Sequence, residues 1–209
     1  MTVAETKEKL FASGEFVFEE FQRLQFFFGL KHEIRYKNER TIVKDAYDSV
    51  AEHVYGMHIA FQYFWPLEDE HKSWDATMML SMITLHDIEE VITGDVIGYD
   101  KTEADSQAEA QAMQGVFTKT PEFMKDNVKT LLEAYEKRES KEAKFVKAID
   151  KIEPLIHLYN QEGKEMLHVM GTTFEQNASI KVPHFKEFPV IMRFYEVIAS
   201  RMKKEGFFK

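Results

Sequence analysis

Residues 84–95 read TLHDIEEVITGD and place a histidine and several carboxylates at the end of an apolar segment. On a helix, His86 and Glu90 would be four residues apart and Asp87 and Glu90 three apart, so these side chains would project toward one local volume. Imidazole and carboxylate ligands together suit zinc, manganese, cobalt or iron. A His-Asp pair is also common in surface capping arrangements, so this stretch alone leaves both interpretations open.

Two residues in other segments bear on that choice. His53 lies among apolar neighbours in SVAEHVYGM, residues 49–57, and Asp150 lies between isoleucines in FVKAIDKIEPL, residues 145–155. A carboxylate in the middle of an apolar helix is costly unless it is paired or bound to a metal. Taken singly, His53 also fits a satisfied core histidine, and Asp150 fits a carboxylate bridged to Lys147 or Lys151.

The composition of the chain is typical of a helical protein. Only nine glycines and five prolines occur in 209 residues, which predicts long helices with few turns. We expect one all-α domain over residues 1–209, with a metal-site core at about 30–160 and a C-terminal helical extension. Helices are predicted over about 49–64, 74–92, 104–117, 122–137, 140–162 and 185–204.

An aromatic segment precedes these helices. Apolar residues from Phe16 to Leu30 recur at three- and four-residue spacing, which predicts a helix with one face packed in the core. The following polar stretch, residues 35–48, breaks that period and is predicted to form a loop or strap.

Composition excludes several classes of function. The chain has no cysteine, so thiolate nucleophiles, cysteine-ligated zinc and iron-sulfur clusters are excluded. There are 27 basic and 36 acidic residues, and a net charge of −9 argues against binding to a nucleic acid polymer. No apolar run is long enough to span a membrane, and MTVAETKEKL lacks the apolar core of a signal peptide. We therefore expect a soluble cytoplasmic protein.

The order H, HD, D, with spacings of about 33 and 63 residues, resembles that of the HD-domain metal-dependent phosphohydrolases. The resemblance extends from Leu30 to about Leu158. The runs SVAEH, HDIEEVITGD and AKFVKAIDKIE are similar to those of the 5′-deoxynucleotidase branch, namely S-V-S/A-E/D-H, H-D-x-x-E-x-x-x-G-D and a helix with K-x-x-D. The resemblance implies an all-helical HD-domain bundle.

The resemblance also implies roles for individual residues. One divalent metal ion, whether manganese, cobalt, zinc, iron, nickel or magnesium, would be held by four ligands: His53, His86, Asp87 and Asp150. Glu90 would activate the attacking water, for which its place one turn beyond His86 is suitable. Asp95 would bond the sugar hydroxyls, although it also fits a carboxylate that stabilises its loop.

Phosphate recognition is implied for LKHEIRY, residues 30–36, where the family carries an arginine followed by an aromatic residue. Arg35 and Tyr36 match, and a planar guanidinium suits a dianionic phosphate. A solvated basic strap is the alternative for Arg35. Tyr36 replaces the tryptophan that is frequent there, and residues 41–47 make the connection about three residues longer than usual, so base and sugar preference are not transferred.

The expected activity is that of a 5′-deoxynucleotidase, which converts deoxynucleoside 5′-monophosphates into deoxynucleoside and phosphate. Two alternatives remain. One is a non-catalytic HD module that binds metal and nucleotide; the other is a sibling hydrolase of nucleoside triphosphates or cyclic phosphodiesters. The many Phe and Met residues suggest an exposed apolar surface, and the resembled family commonly forms homodimers. We therefore expect a homodimer.

Overall fold

The protein is described by a computed structural model that covers residues 1–35, 48–69, 71–95 and 102–209. The helices of these residues are α1 Val3–Ala12, α2 Gly14–Phe27, α3 Val50–Phe64, α4 Ala76–Leu85, α5 Glu90–Thr93, α6 Glu103–Lys119, α7 Lys125–Lys137, α8 Lys141–His157, α9 Gln161–Val169, α10 Phe174–Phe185 and α11 Pro189–Lys204. Within the described ranges, the β structure amounts to one antiparallel bridge between Ile34 and Ser49. The all-α class predicted from the sequence is confirmed.

Helix α8 is the centre of the fold. It contacts α3, α4, α7, α10 and α11. Buried side chains cover most of its circumference, among them Phe145, Ile149 and Ile152, and Lys144, Lys147 and Lys151 lie on the remaining side. A helix with so wide a buried face has to be packed against several neighbours. Asp150 and Glu153 are therefore carried into the interior by the helix with the most contacts.

The first turn of α3 is fixed locally. Ser49 and Glu52 form a capping box, in which the Ser49 hydroxyl accepts from the Glu52 amide and the Glu52 carboxylate accepts from the Ser49 amide. This box satisfies two of the amides that a helix start leaves without partners. It also fixes where α3 begins and hence the direction of His53 one turn later.

Three predicted helices have different boundaries in the structure. The helix expected over 74–92 ends at Leu85, because residues 86–90 form tighter turns in which Ile88 and Glu90 donate to carbonyls three residues back. The helix expected over 140–162 ends at His157, and Asn160 caps a new helix, α9. The helix expected over 185–204 begins at Pro189, and α10 precedes it with its own capping box at Thr173.

The aromatic face of α2 was predicted to be in the core, and this was wrong for much of it. Leu30 is buried, whereas Phe18, Phe21, Leu24 and Phe28 are about half exposed. The period of the segment is helical, as expected, but the described residues cover only about half of each of these four side chains.

Among the described residues, no helix has both the length and the apolar character needed to cross a bilayer.

The close contact of α3 with α8 depends on Gly56. A Cβ atom at position 56 would collide with the buried carboxylate of Glu153. We expect Gly56→Ala to reduce the free energy of unfolding by about 1–3 kcal/mol, the usual cost of overpacking. Thermal or denaturant unfolding measures this change.

Gly14→Ala is the matched control, because no atom lies within 4 Å of a Cβ at that position and alanine favours a helix. It should leave the stability unchanged or slightly increased. Equal stability of the Gly56→Ala and Gly14→Ala variants would show that α3 can move away from Glu153 without cost.

Candidate metal centre

Three elements bring the predicted ligands together. His53 lies on α3, His86 caps the end of α4 and Asp150 lies on α8. A donor atom from each of these three lies within 4.8 Å of the others, and all three residues are buried. His53 Nε2 is 3.4 Å from Asp150 Oδ1, and the imidazole rings of His53 and His86 have centroids 5.6 Å apart.

Asp87 adjoins this cluster. Its Oδ2 lies 2.9 Å from His86 Nε2, and its side chain is partly exposed. The order H, HD, D in the sequence therefore corresponds to one local cluster in the fold. Binding of a metal by these four side chains remains a prediction.

The hydrogen bonds of the two histidines orient their Nε2 atoms toward the cluster. His53 Nδ1 lies 2.6 Å from Glu153 Oε2, and His86 Nδ1 lies 3.0 Å from the carbonyl oxygen of Ile83. A carbonyl can only accept, so Nδ1 of His86 carries a proton, and in the neutral imidazole Nε2 then keeps its lone pair for a ligand. Support of this kind at the second ring nitrogen is typical of metal-binding histidines.

The donor set fits a divalent metal ion. His86 Nε2 is buried and has no hydrogen-bond partner assigned among the described residues, and the carboxylate of Asp87 lies 2.9 Å away as an ion-pair contact. A buried polar atom without a partner is costly, and a bound cation would satisfy it. Two imidazole nitrogens with one or two carboxylates form a set that several first-row metals accept.

Asp150 uses its two oxygens differently. Oδ2 receives the Tyr135 hydroxyl at 3.1 Å, Lys147 Nζ at 2.8 Å and Lys151 Nζ at 3.2 Å. The lysine bridges that the sequence left as an alternative are both present, and they leave Oδ1 facing His53. Burial alone would raise the pKa of Asp150, but Lys147 and Lys151 hold that pKa well below its usual range. The carboxylate is thus ionised and ready to act as a ligand.

Glu90, the predicted base, begins α5 just beyond the cluster. Its Oε2 is buried and lacks a hydrogen-bond partner within the described part of the chain. Burial, followed by the charges of Asp87 and Asp95, raises the pKa of Glu90 well above its usual value. A carboxyl group in this environment gains affinity for a proton, as a general base requires.

Of the three predicted substrate contacts, the structure describes Arg35 and Asp95. Arg35 is buried and is held by Asp48 at 3.1 Å and Glu153 at 3.7 Å, so it is no solvated strap residue. Its backbone amide also donates to the Asp48 carbonyl, which fixes it beside the start of α3. Asp95 is half-buried and follows Gly94, whose φ of 73° suits glycine. Tyr36 and the longer connection at 41–47 lie outside the described residues.

Sequence reasoning missed Glu153, Asp48 and Tyr135. Glu153 follows Asp150 by three residues on α8, and this i, i+3 spacing is the signal that would have placed both acids on one face. Asp48, Glu153 and His157 also place donor atoms within 4.8 Å of one another. Because the Arg35 guanidinium already supplies a cation to Asp48, this second group is an ion-pair network in the structure.

The HD domain family model matches residues 29–192, which is more than half of the chain. The chain belongs to the HD domain family. That membership agrees with the resemblance carried by His53, His86, Asp87 and Asp150.

Curated relatives share part of the sequence. The 5′-deoxynucleotidase HDDC2 of Bos taurus is 32% identical over 120 residues, and that of Homo sapiens is 30% identical over 120 residues. Each of these alignments covers 56% of this chain and 56% of the relative, so the chain spans about half the length of these relatives. The Xenopus laevis protein is 28% identical over 151 residues, covering 71% of this chain and 73% of the relative.

A solved structure has a similar fold. It is the crystal structure of a predicted metal-dependent phosphohydrolase from Magnetospirillum magnetotacticum MS-1, with a TM-score of 0.76 and 20% sequence identity. The match covers 92% of this chain and 97% of that protein. At this identity the likeness shows the fold. Together with the family match, it confirms the HD-domain helical bundle.

The bond from His53 to Glu153 leads to a prediction about metal affinity. A carboxylate on Nδ1 orients the imidazole and raises its basicity, so Glu153→Gln should weaken binding of a divalent metal by about 10- to 100-fold. Isothermal titration with cobalt or zinc measures the affinity directly, without any substrate.

The control is Glu162→Gln, which changes an exposed carboxylate on α9. It should bind metal as the unaltered protein does. If Glu153→Gln matched this control in affinity, Glu153 would be a packing residue rather than a support for His53.

Proposed function

We propose that the protein is a metal-dependent phosphomonoesterase that hydrolyses deoxynucleoside 5′-monophosphates to deoxynucleoside and phosphate. The observation that carries this proposal is the buried cluster of His53, His86 and Asp150, in which His86 Nε2 has no hydrogen-bond partner among the described residues. The 5′-deoxynucleotidase relatives support the choice of substrate class.

In this proposal the site residues have separate roles. A divalent metal ion, bound by His53, His86, Asp87 and Asp150, would act as a Lewis acid on the phosphate and on a bound water. Glu90 accepts a proton from the attacking water. Arg35 offsets the negative charge of the phosphate oxygens, and its ion pairs with Asp48 and Glu153 hold the guanidinium in place for this contact.

The sugar and phosphate contacts complete the proposal. Asp95 lies after the Gly94 turn, beside the element that carries Glu90, and accepts hydrogen bonds from the sugar hydroxyls. Tyr36, which the family resemblance implies as a further substrate contact, lies outside the described residues. A small-molecule nucleotide rather than a nucleic acid polymer is the substrate, consistent with the net charge of −9.

Removal and return of the metal test this function. We expect protein stripped by a chelator to lose phosphate release from a panel of deoxynucleoside monophosphates, and cobalt, manganese or another divalent metal to restore it. The panel should include triphosphates and cyclic diesters, because free phosphate, triphosphate and an opened diester identify different HD hydrolases. Metal and nucleotide binding without turnover would favour the non-catalytic module.

Two variants in the same assay separate ligand from base. Asp150→Ala removes a charged ligand and should lower the metal content and the rate together. Glu90→Ala should keep the metal and lose at least ~100-fold in kcat, the scale of one general base. Elemental analysis beside steady-state kinetics distinguishes them. Full metal content and normal rate in Asp150→Ala, with metal loss in Glu90→Ala, would reverse the two roles.

We also propose that the protein acts as a homodimer. Phe18, Phe21, Leu24 and Phe28 present an apolar face on and just after α2, and Phe21 and Leu24 line two adjoining grooves there. Soluble monomers rarely expose large contiguous apolar patches. In a two-fold dimer the same face of both copies pairs with itself, so one surface of this kind suffices.

Light scattering at micromolar concentration tests the assembly. The expected mass is twice the 24.6 kDa of one chain. Phe21→Glu should shift the mass toward one chain, whereas Val197→Glu, which changes an exposed apolar residue on α11, should not. A single species of 24.6 kDa for the unaltered protein would contradict the dimer.

A further inference from the structure

A groove of about 740 Å³ lies between α3, α8 and α11. It is open to solvent, because the side chains of Tyr55 and Ile156 in its wall are exposed. None of the four predicted metal ligands is among the described residues that line it. Its polar wall consists of Asp48, Glu52, Glu153 and His157. The groove therefore presents an acidic surface with a lining distinct from that of the candidate metal centre.

Three of these polar residues converge on one point. Asp48, Glu153 and His157, which we call the second cluster, each place a donor atom within 4.8 Å of the other two. Asp48 directly precedes the capping residue of α3, and Glu153 and His157 lie four residues apart on one face of α8. One imidazole nitrogen with two carboxylate oxygens is a ligand set that first-row divalent metals accept.

Two atoms of the second cluster are buried without a hydrogen-bond partner among the described residues, namely Asp48 Oδ1 and His157 Nε2. Asp48 exposes only 5% of its surface. The two atoms lie 3.9 Å apart, which is too far for a hydrogen bond between them. A buried carboxylate oxygen without a donor is costly. A bound cation would satisfy both atoms, because a neutral imidazole with its proton on Nδ1 presents a lone pair at Nε2.

Arg35 pairs with the second cluster without using these two atoms. Its guanidinium lies 3.1 Å from Asp48 Oδ2 and 3.7 Å from Glu153 Oε2. The other oxygen of Glu153, Oε1, faces Gly56 in the wall of the groove. Two carboxylates thus share one guanidinium, and the exposed Glu52 in the same wall adds a third negative charge. This excess of negative charge favours the binding of a further cation.

We propose that the second cluster is a metal site that takes a first-row divalent cation, such as zinc, from the groove. Asp48 Oδ1, His157 Nε2 and a carboxylate oxygen of Glu153 would be its protein ligands, and the groove has room for water at the remaining positions. Glu153 joins the two centres, because its Oε2 is bonded to His53 Nδ1. Binding at the second cluster requires neither the first metal nor hydrolytic activity.

The number of bound ions tests this site. We expect protein that is stripped by a chelator and dialysed against micromolar zinc to hold about two ions per chain by elemental analysis. Asp150→Ala removes a ligand of the first centre and His157→Ala removes a ligand of the second cluster, so each variant should hold about one ion. The double variant should hold almost none. Glu153→Gln is unsuitable here, since this residue serves both centres.

Two further variants control the count. His32→Ala changes an exposed histidine outside the second cluster and should hold as many ions as the unaltered protein. Asp48→Asn keeps the shape of the ligand but removes its charge, and it should hold as few ions as His157→Ala. Because His157 is half-buried and ends α8, its replacement should leave the fold intact, which circular dichroism verifies.

Nuclear magnetic resonance of the histidine ring nitrogens locates the ion without any substitution. Zinc added beyond the first equivalent should shift the Nε2 signal of His157, while the signals of His32 stay in place. An unchanged His157 signal in excess zinc would overturn the second site. The same conclusion would follow if Asp150→Ala held equal amounts of zinc with and without His157→Ala.

These measurements separate the second site from the proposed function. If His157→Ala loses one ion but no metal restores hydrolysis of any deoxynucleotide, the second site stands and the proposed function fails. If metal restores hydrolysis while Asp150→Ala alone loses every bound ion, the proposed function stands and the second site fails.

Discussion

The contact between His53 and Glu153 is the constraint on which the rest of the site depends. It joins α3 to α8 through a 2.6 Å bond between two buried polar groups. Glu153 also faces the Arg35 guanidinium, so one carboxylate serves the proposed metal side and the proposed phosphate side of the site. Gly56 leaves the space that this carboxylate occupies. A network of this kind is costly when only part of it is satisfied, so its members are expected to depend strongly on one another.

The helical class could be predicted because it depends on local patterns. Apolar spacing and few turn residues indicate helices. That His53, His86 and Asp150 meet was implied by the resemblance of the H, HD, D order to the HD-domain family, since each residue taken singly left a structural interpretation open. Neither signal requires knowledge of how the helices cross. The all-α class and the HD family are confirmed, whereas the ligand role of each residue is still a prediction.

What the sequence did not predict is partly local and partly dependent on contacts distant in sequence. The end of α4 at Leu85 could not be predicted, because an apolar pattern continues through Ile88 and Ile92 while the backbone tightens into turns. The exposure of Phe18 and Phe21 could not be read from their period, because a helix has the same pattern whether its partner is in the same chain or in another copy. The ion pair of Arg35 with Asp48 joins the two ends of a segment predicted only as a loop or strap.

The C-terminal helices are joined to the metal centre through one turn of α8. Pro154 has no amide hydrogen, so the carbonyl of Asp150 lacks its usual partner four residues later. The next carbonyl, that of Lys151, accepts from Lys181 on α10. The same turn directs Asp150 toward His53, while Lys151 lines a cavity together with Met166, Met170 and Met202. A displacement of α10 would therefore be transmitted to the turn that carries Asp150. Through this hydrogen bond the helices beyond residue 160 help to fix the position of a predicted metal ligand.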